Sequence, residues 1–338
     1  MRFNSQQWVN QIIGSDMLAG MPIMTYPALQ ITGRSVLDLV TNGEEQAKCI
    51  AILAERFPSV AGVMAMDLSV EAEAFGSTII FSSDEIPTVS GRLVSDAESI
   101  DKLIVPPFGT ARTAEFVKAA ALASAAVTDR PVFGGIIGPF SLGGRLFDIT
   151  EMMTNILIDP DSSHALLQKS TTFLINYAMA YKQAGVAGVI IAEPAAGLLA
   201  PEECQNFSSD YVRQIVDAVQ DEDFMVILHN CGNTVQLVQS MLSTGAMGYH
   251  FGNAVDMRDV LPAIPEEVLV FGNLDPAGVI RMSTAEEVRL RTLMMLDDCR
   301  GFKNYVPSSG CDIPPATPLE NIGAFFAAIN EFNTRTAT

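Results

Sequence analysis

His229, Cys231 and Cys311 are the side chains whose types and spacing point most directly to chemistry. His229-x-Cys231 ends an apolar, β-like run, Phe224-Met225-Val226-Ile227-Leu228. A strand repeats its side-chain direction every two residues, so an imidazole and a thiol two positions apart leave it toward the same side. Cys311 follows 80 positions after Cys231, in Pro307-Ser308-Ser309-Gly310-Cys311-Asp312, again behind a hydrophobic segment. One imidazole and two thiolates with a position left open form the ligand set of a catalytic zinc site. That set carries no net charge with zinc, so an added thiolate stays electron-rich enough to attack, which suits thiol alkylation. A free thiol of pKa ~8.5 is only about 3% ionised at pH 7, and metal coordination removes that limit. Lowering its apparent pKa by ~1.5 units corresponds to roughly 2 kcal/mol. Hydrolysis by a metal-bound hydroxide is better served by sites rich in histidine and carboxylate. A His-x-Cys alone is more often an accident of a buried strand end; Cys311 at the corresponding end of another strand makes the metal reading.

The elements that must carry these residues alternate along the chain. Val/Ile/Met-rich runs at 21–26, 60–66, 131–137, 186–192, 224–229, 246–251, 268–271 and 303–306 read as strands. Helical spacing lies between them, near 43–57, 111–127, 161–184, 201–219, 234–243, 256–263, 284–299 and 318–333. Strand and helix in this alternation predict an α/β fold, a closed (β/α)8 barrel, with a doubly wound open sheet as the competing architecture. The 338 residues exceed the ~250 typical of such a barrel and leave room for insertions. One insertion is predicted near 75–93, where Ser77–Ser82 and Thr88–Gly91 flank a turn and read as a strand pair covering the barrel mouth. No linker divides the sequence, so 1–338 reads as a single domain. In a barrel the catalytic face lies where strands end. That places Asp67, Glu193, His229, Cys231, His250, Asn273, Asp275 and Cys311 on one rim.

Composition narrows the function classes. The chain is 49% hydrophobic and 17% charged, which describes a globular protein with a large core. A net charge of −19 argues against nucleic-acid binding and against an anionic membrane surface. No apolar stretch approaches the ~18 residues of a membrane span, and no secretory leader is visible. Five widely spaced cysteines fit a reducing, cytoplasmic setting. Cys49, Cys204 and Cys299 sit in helical patterns and read as packing or surface thiols. The glycine-rich segment Gly134–Arg145 matches neither a P-loop nor a dinucleotide fingerprint, and Arg145 reads as a surface arginine or a contact for an anionic substrate tail. His164 reads as an exposed helix residue and His250 as a hydrogen-bonded rim histidine or a pocket-lining one.

Three segments carry a family resemblance: His229-x-Cys231-Gly232-Asn233, Phe271-Gly272-Asn273-Leu274-Asp275-Pro276, and Ser309-Gly310-Cys311-Asp312-Ile313-Pro314-Pro315. With Met66-Asp67-Leu68-Ser69 and Glu193-Pro194 they resemble the zinc-dependent methylcobamide:coenzyme M methyltransferase branch of the uroporphyrinogen decarboxylase superfamily over nearly the full length. The resemblance implies a TIM barrel of that type, with zinc held by His229, Cys231 and Cys311 and activating a small thiol. It implies a methyl-corrinoid as donor, carried by a separate corrinoid-binding protein, and Co(I) as the product left behind. Glu193 and Asp67 become candidates for a fourth zinc position or for substrate contacts, and Asn273 and Asp275 for cofactor contacts. Three alternatives stay open: a first-step methyltransferase that demethylates a methoxylated or methylamine substrate, an inert scaffold for a corrinoid protein, and uroporphyrinogen decarboxylase itself. The decarboxylase needs an arginine-rich N-terminal pocket for a polyanion, whereas Pro22-Ile23-Met24-Thr25-Tyr26-Pro27 contains no arginine. Neither the methyl acceptor nor the oligomeric state is readable from the sequence.

Overall fold

A computed structural model describes residues 3–336. Seven parallel strands form one curled sheet: β1 (Gly62–Val63), β4 (Val132–Ile137), β5 (Gly188–Ala192), β6 (Met225–Asn230), β7 (Gly248–Phe251), β8 (Leu269–Leu274) and β9 (Tyr305–Ser309), in that order. The remaining pair, β2 (Thr78–Ile80) and β3 (Thr88–Ser90), runs antiparallel as a separate ribbon after β1. All residues of β4, β5, β6, β7 and β9 are buried, as expected for parallel strands covered on both faces.

The strand predicted at 21–26 does not form a ladder. The segment runs between β9 and the entry to β1 and turns into a 3-10 helix at Tyr26–Ala28, and its contacts are single bonds. Met21 N–H donates to Pro307 O at 2.9 Å and Gly20 O accepts from Val60 N–H at 2.9 Å. Hydroxyls make the others: Ser309 Oγ accepts from Ile23 N–H at 3.0 Å, Thr25 Oγ1 donates to Val63 O at 2.6 Å, and Ser308 Oγ donates to Met21 O at 2.7 Å. Pro22 has no N–H to offer, so a regular register is not available there. The eighth position of the barrel is thus filled by a strap tied by isolated backbone bonds and by three hydroxyls. The predicted strand at 60–66 likewise shortens to Gly62–Val63, because only Val132 and Phe133 stand in register with it.

Two apolar layers follow from the alternation of side chains. Met21, Ile23, Val63, Phe133, Ile190, Met225, Ile227, Leu269, Phe271 and Val306 fill the barrel interior, and the helix Ser5–Ile13 closes its lower end through Trp8, 5.5 Å from the Phe133 ring. A larger layer lies between sheet and helices and contains Tyr177, Phe173 and Phe116. Cys49, Cys204 and Cys299 are buried there, with their thiols pushed up by burial.

Glu71 is an unusual occupant of that packing. It sits in the helix Val70–Phe75, fully buried, and its Oε1 accepts from Ile137 N–H at 2.9 Å. Desolvation pushes its carboxyl up to about 8 from 4.5. Between those values the folded chain holds more protons than the unfolded chain, so stability falls as pH rises, and the loss is complete above the folded pKa. Glu71→Gln keeps the Ile137 bond and removes the ionisation. Thermal unfolding across this window should show the variant losing less stability than the parent, a difference of several degrees by its upper end. Equal slopes would show that Glu71 does not titrate as its burial requires.

Candidate metal centre

His229, Cys231 and Cys311 each place one ligand atom within 4.8 Å of the others. β6 and the loop after β9 bring them together. On β6, Met225 and Ile227 point into the barrel, and the same period turns His229 inward at the upper rim. His229 is 2% exposed, and its Nε2 is buried with no hydrogen-bond partner among the described residues. A buried imidazole nitrogen without a partner is costly unless something binds it. Two thiols and one bare imidazole nitrogen are the donor set that zinc favours, so the residues present fit that metal. A hydrogen bond from Cys311, with His229 beside it, holds the Cys231 thiol low, and the same contact with Cys231 pushes the Cys311 thiol up.

The loop carrying Cys231 is packed without slack. Gly252 N–H donates to Asn230 O at 3.0 Å, and a Cβ at Gly252 would run into the Cys231 backbone. Gly252→Ala should therefore shift Cys231, cost roughly 1–3 kcal/mol of stability and weaken metal binding, read by urea unfolding and zinc titration. Unchanged values in both would mean that the loop has room to give.

Behind His229 runs a chain of buried polar contacts. His229 Nδ1 lies 2.8 Å from His250 Nδ1, and His250 Nε2 lies 2.9 Å from Ser308 Oγ. The register explains the meeting: His229 pairs with His250 across β6 and β7, and Ser308 stands two residues beyond Val306 on the inward face of β9. Burial, then the neighbouring His229, push His250 well below the usual histidine range. The rim-histidine reading of His250 thus gains two specific partners. Ser308 carried no sequence signal beyond its place in the alternation.

Asp67 and Glu193 are buried at the rim with every carboxylate oxygen engaged. Asp67 Oδ2 accepts from Arg112 at 2.5 Å and its Oδ1 accepts from Ser69 Oγ at 2.6 Å. Arg112 also donates to Glu73, Ser69 Oγ and Val40 O, and its guanidinium lies 4.9 Å from the Phe81 ring at the end of the β2–β3 ribbon. Glu193 accepts from Phe140 N–H at 3.0 Å and Ser141 N–H at 2.6 Å, tying β5 to the start of the helix Pro139–Phe147. Burial pushes its carboxyl up to about 7. Asn273 Nδ2 donates to Gly252 O and Val255 O, and Asp275 caps the turn at Ala277 and Gly278. Neither joins the thiol and imidazole cluster; both line a separate hollow of about 440 Å³. Arg145 is exposed, whereas His164 is half-buried, stacked on Phe207 and 2.8 Å from the Tyr211 hydroxyl, because the helix carrying it packs against Asp210–Val219. Sequence reasoning missed Arg112, whose partners lie 39 to 72 positions away.

The chain's kinships agree with this architecture. Residues 18–332 match the family model described as uroporphyrinogen decarboxylase (URO-D). This chain belongs to that family. Within the family it is 31% identical over 284 residues, 82% of each chain, to the methylcobamide:CoM methyltransferase MtbA of Methanosarcina mazei. It is 25% identical, over 93% of its length and 91% of the other's, to the uroporphyrinogen decarboxylase of Dichelobacter nodosus. A solved methyltransferase from Methanosarcina mazei superposes with a TM-score of 0.87 at 23% identity, covering 98% of this chain and 99% of that one, and supports the TIM-barrel fold. On these kinships the chain is a methyltransferase of the URO-D family.

Proposed function

We propose that the chain moves a methyl group from a methyl-corrinoid, carried by a partner protein, to a small thiol. The observation that carries this reading is the His229, Cys231 and Cys311 cluster with its bare, buried Nε2. Zinc bound by those three side chains would keep the thiol deprotonated at neutral pH, ready to take the methyl group. The methyl–cobalt bond breaks as the methyl–sulfur bond forms, and the electron pair of the broken bond stays on cobalt as Co(I).

The chain's own residues have defined tasks in this reading. His229 at the end of β6 and Cys231 in the loop just after it supply two ligand atoms, and Cys311 supplies the third from the loop after β9. Asp67, Arg112 and Glu73 form an ionic cluster whose guanidinium lies against Phe81 at the end of the β2–β3 ribbon. Tyr26 Oη and Asp312 Oδ1 are buried without a hydrogen-bond partner among the described residues, and Asp312 adjoins Cys311 in sequence, so these two atoms would be available to polar groups of a substrate. Asp67 and Glu193 act as positioning groups, their oxygens being committed to protein donors. No helix of the described residues is long and apolar enough to cross a membrane.

Decarboxylation of a polycarboxylate finds less support. Arg112, the one arginine buried among the described residues, is neutralised by Asp67 and Glu73 and offers little to a polyanion. The test is turnover of the zinc-loaded protein with free methylcobalamin and a panel of thiols, coenzyme M included, followed by the Co(I) absorbance and the methyl thioether product. Transfer to at least one thiol is expected. Absence of transfer to every thiol, with release of carbon dioxide from uroporphyrinogen, would overturn the reading.

A further inference from the structure

His229 is the single nitrogen ligand of the cluster, so the position of its ring proton decides whether a third ligand exists. That position can be followed from the far end of the buried chain. Met21 O is a carbonyl and only accepts, so Ser308 donates its one proton there, at 2.7 Å. Ser308 Oγ must then accept from His250, which puts a proton on His250 Nε2. The contact between the two Nδ1 atoms, at 2.8 Å, needs one donor and one acceptor. A single proton on His250 leaves its Nδ1 bare, and His229 supplies the proton of that contact. With one proton on each ring, His229 Nε2 is left as a lone pair beside Cys231 and Cys311. The reverse arrangement needs a doubly protonated His250, a full positive charge at a 0% exposed position.

We propose that His250 and Ser308 are positioning residues that lock His229 in the Nδ1–H tautomer and anchor its ring to the Met21 carbonyl, making Nε2 a metal ligand. The proposal rests on reading the cluster as a metal site. Histidine ligands in general depend on such a partner for orientation and basicity. Here the last link is the strap at 20–25, which closes the barrel without a ladder, so the metal centre and the closure of the barrel share one hydrogen-bonded line.

Two measurements test it. The chain has three histidines, so ring-nitrogen spectra of the metal-free, ¹⁵N-labelled protein are readily assigned with His164→Gln and His250→Asn. His229 should carry its proton on Nδ1 and His250 on Nε2. Zinc affinity, by competition with a chromophoric chelator, should fall roughly 10–100-fold in His250→Leu and in Ser308→Ala. His250→Asn, whose side-chain oxygen can stand near the present Nδ1, should recover most of the loss. A His229 proton on Nε2, full zinc affinity in both Leu and Ala variants, or an Asn variant no better than Leu would overturn the proposal while leaving the metal site intact. Should His250→Leu fail to fold, Ser308→Ala, which removes a single oxygen, still decides. A parent protein with no zinc affinity would instead overturn the functional reading, and the metal-free spectra would still decide the tautomer.

Discussion

Cys311→Ala is expected to abolish tight zinc binding and to lower methyl transfer to a thiol by about a thousandfold, roughly 4 kcal/mol of lost transition-state stabilisation, with a melting temperature within a few degrees of the parent. Cys311 lies in the loop after β9 and is only half-buried. It belongs to neither apolar layer, so its removal deletes little packing. Its loss leaves two ligands of three, and a thiol acceptor returns to the few per cent ionisation of a free thiol. Elemental analysis, the methylcobalamin assay and a thermal melt read the three quantities. A folded variant that keeps zinc and full transfer would remove Cys311 from the centre.

Arg112→Met is expected to cost about 3–5 kcal/mol of stability, the largest effect among single changes away from the cluster. Asp67 and Arg112 side chains are 0% and 8% exposed, 2.5 Å apart, and Glu73 holds the guanidinium from its other side. Removing the cation leaves a carboxylate buried without compensation, whose desolvation is no longer offset. The pair as such need not stabilise the fold. Asp67→Asn with Arg112→Met should therefore recover a substantial part of the loss, since the orphaned charge is gone. Denaturant unfolding of the parent, both single variants and the double variant closes the cycle. A loss under about 1 kcal/mol for Arg112→Met would mean that water already reaches the pair. The same change should also loosen the ribbon end, because Phe81 packs on the guanidinium.

The interior strands were legible because burial on both faces leaves an unbroken apolar run, as in Phe133 to Ile137 and Met225 to Leu228. The meeting of His229, Cys231 and Cys311 was legible from position: the two-residue spacing at the end of β6 and the strand-end rule put all three on one rim. The strap at 20–25 was misread as a strand because its composition is strand-like, while its bonding mixes isolated backbone bonds with the Ser308, Ser309 and Thr25 hydroxyls, which no local pattern announces. The acidic candidates were found by position at strand ends, but position could not say how their oxygens are spent. Asp67 faces an arginine 45 positions away and Glu193 the N–H groups of Phe140 and Ser141. Such pairings are made by tertiary packing alone.

Zinc content of the purified protein after reconstitution and exhaustive dialysis tests the central claim most directly. One zinc per chain, bound through two sulfur ligands and one imidazole by X-ray absorption, is the result expected from the arrangement of His229, Cys231 and Cys311. A protein that retains no zinc, or holds it through oxygen ligands alone, would contradict it.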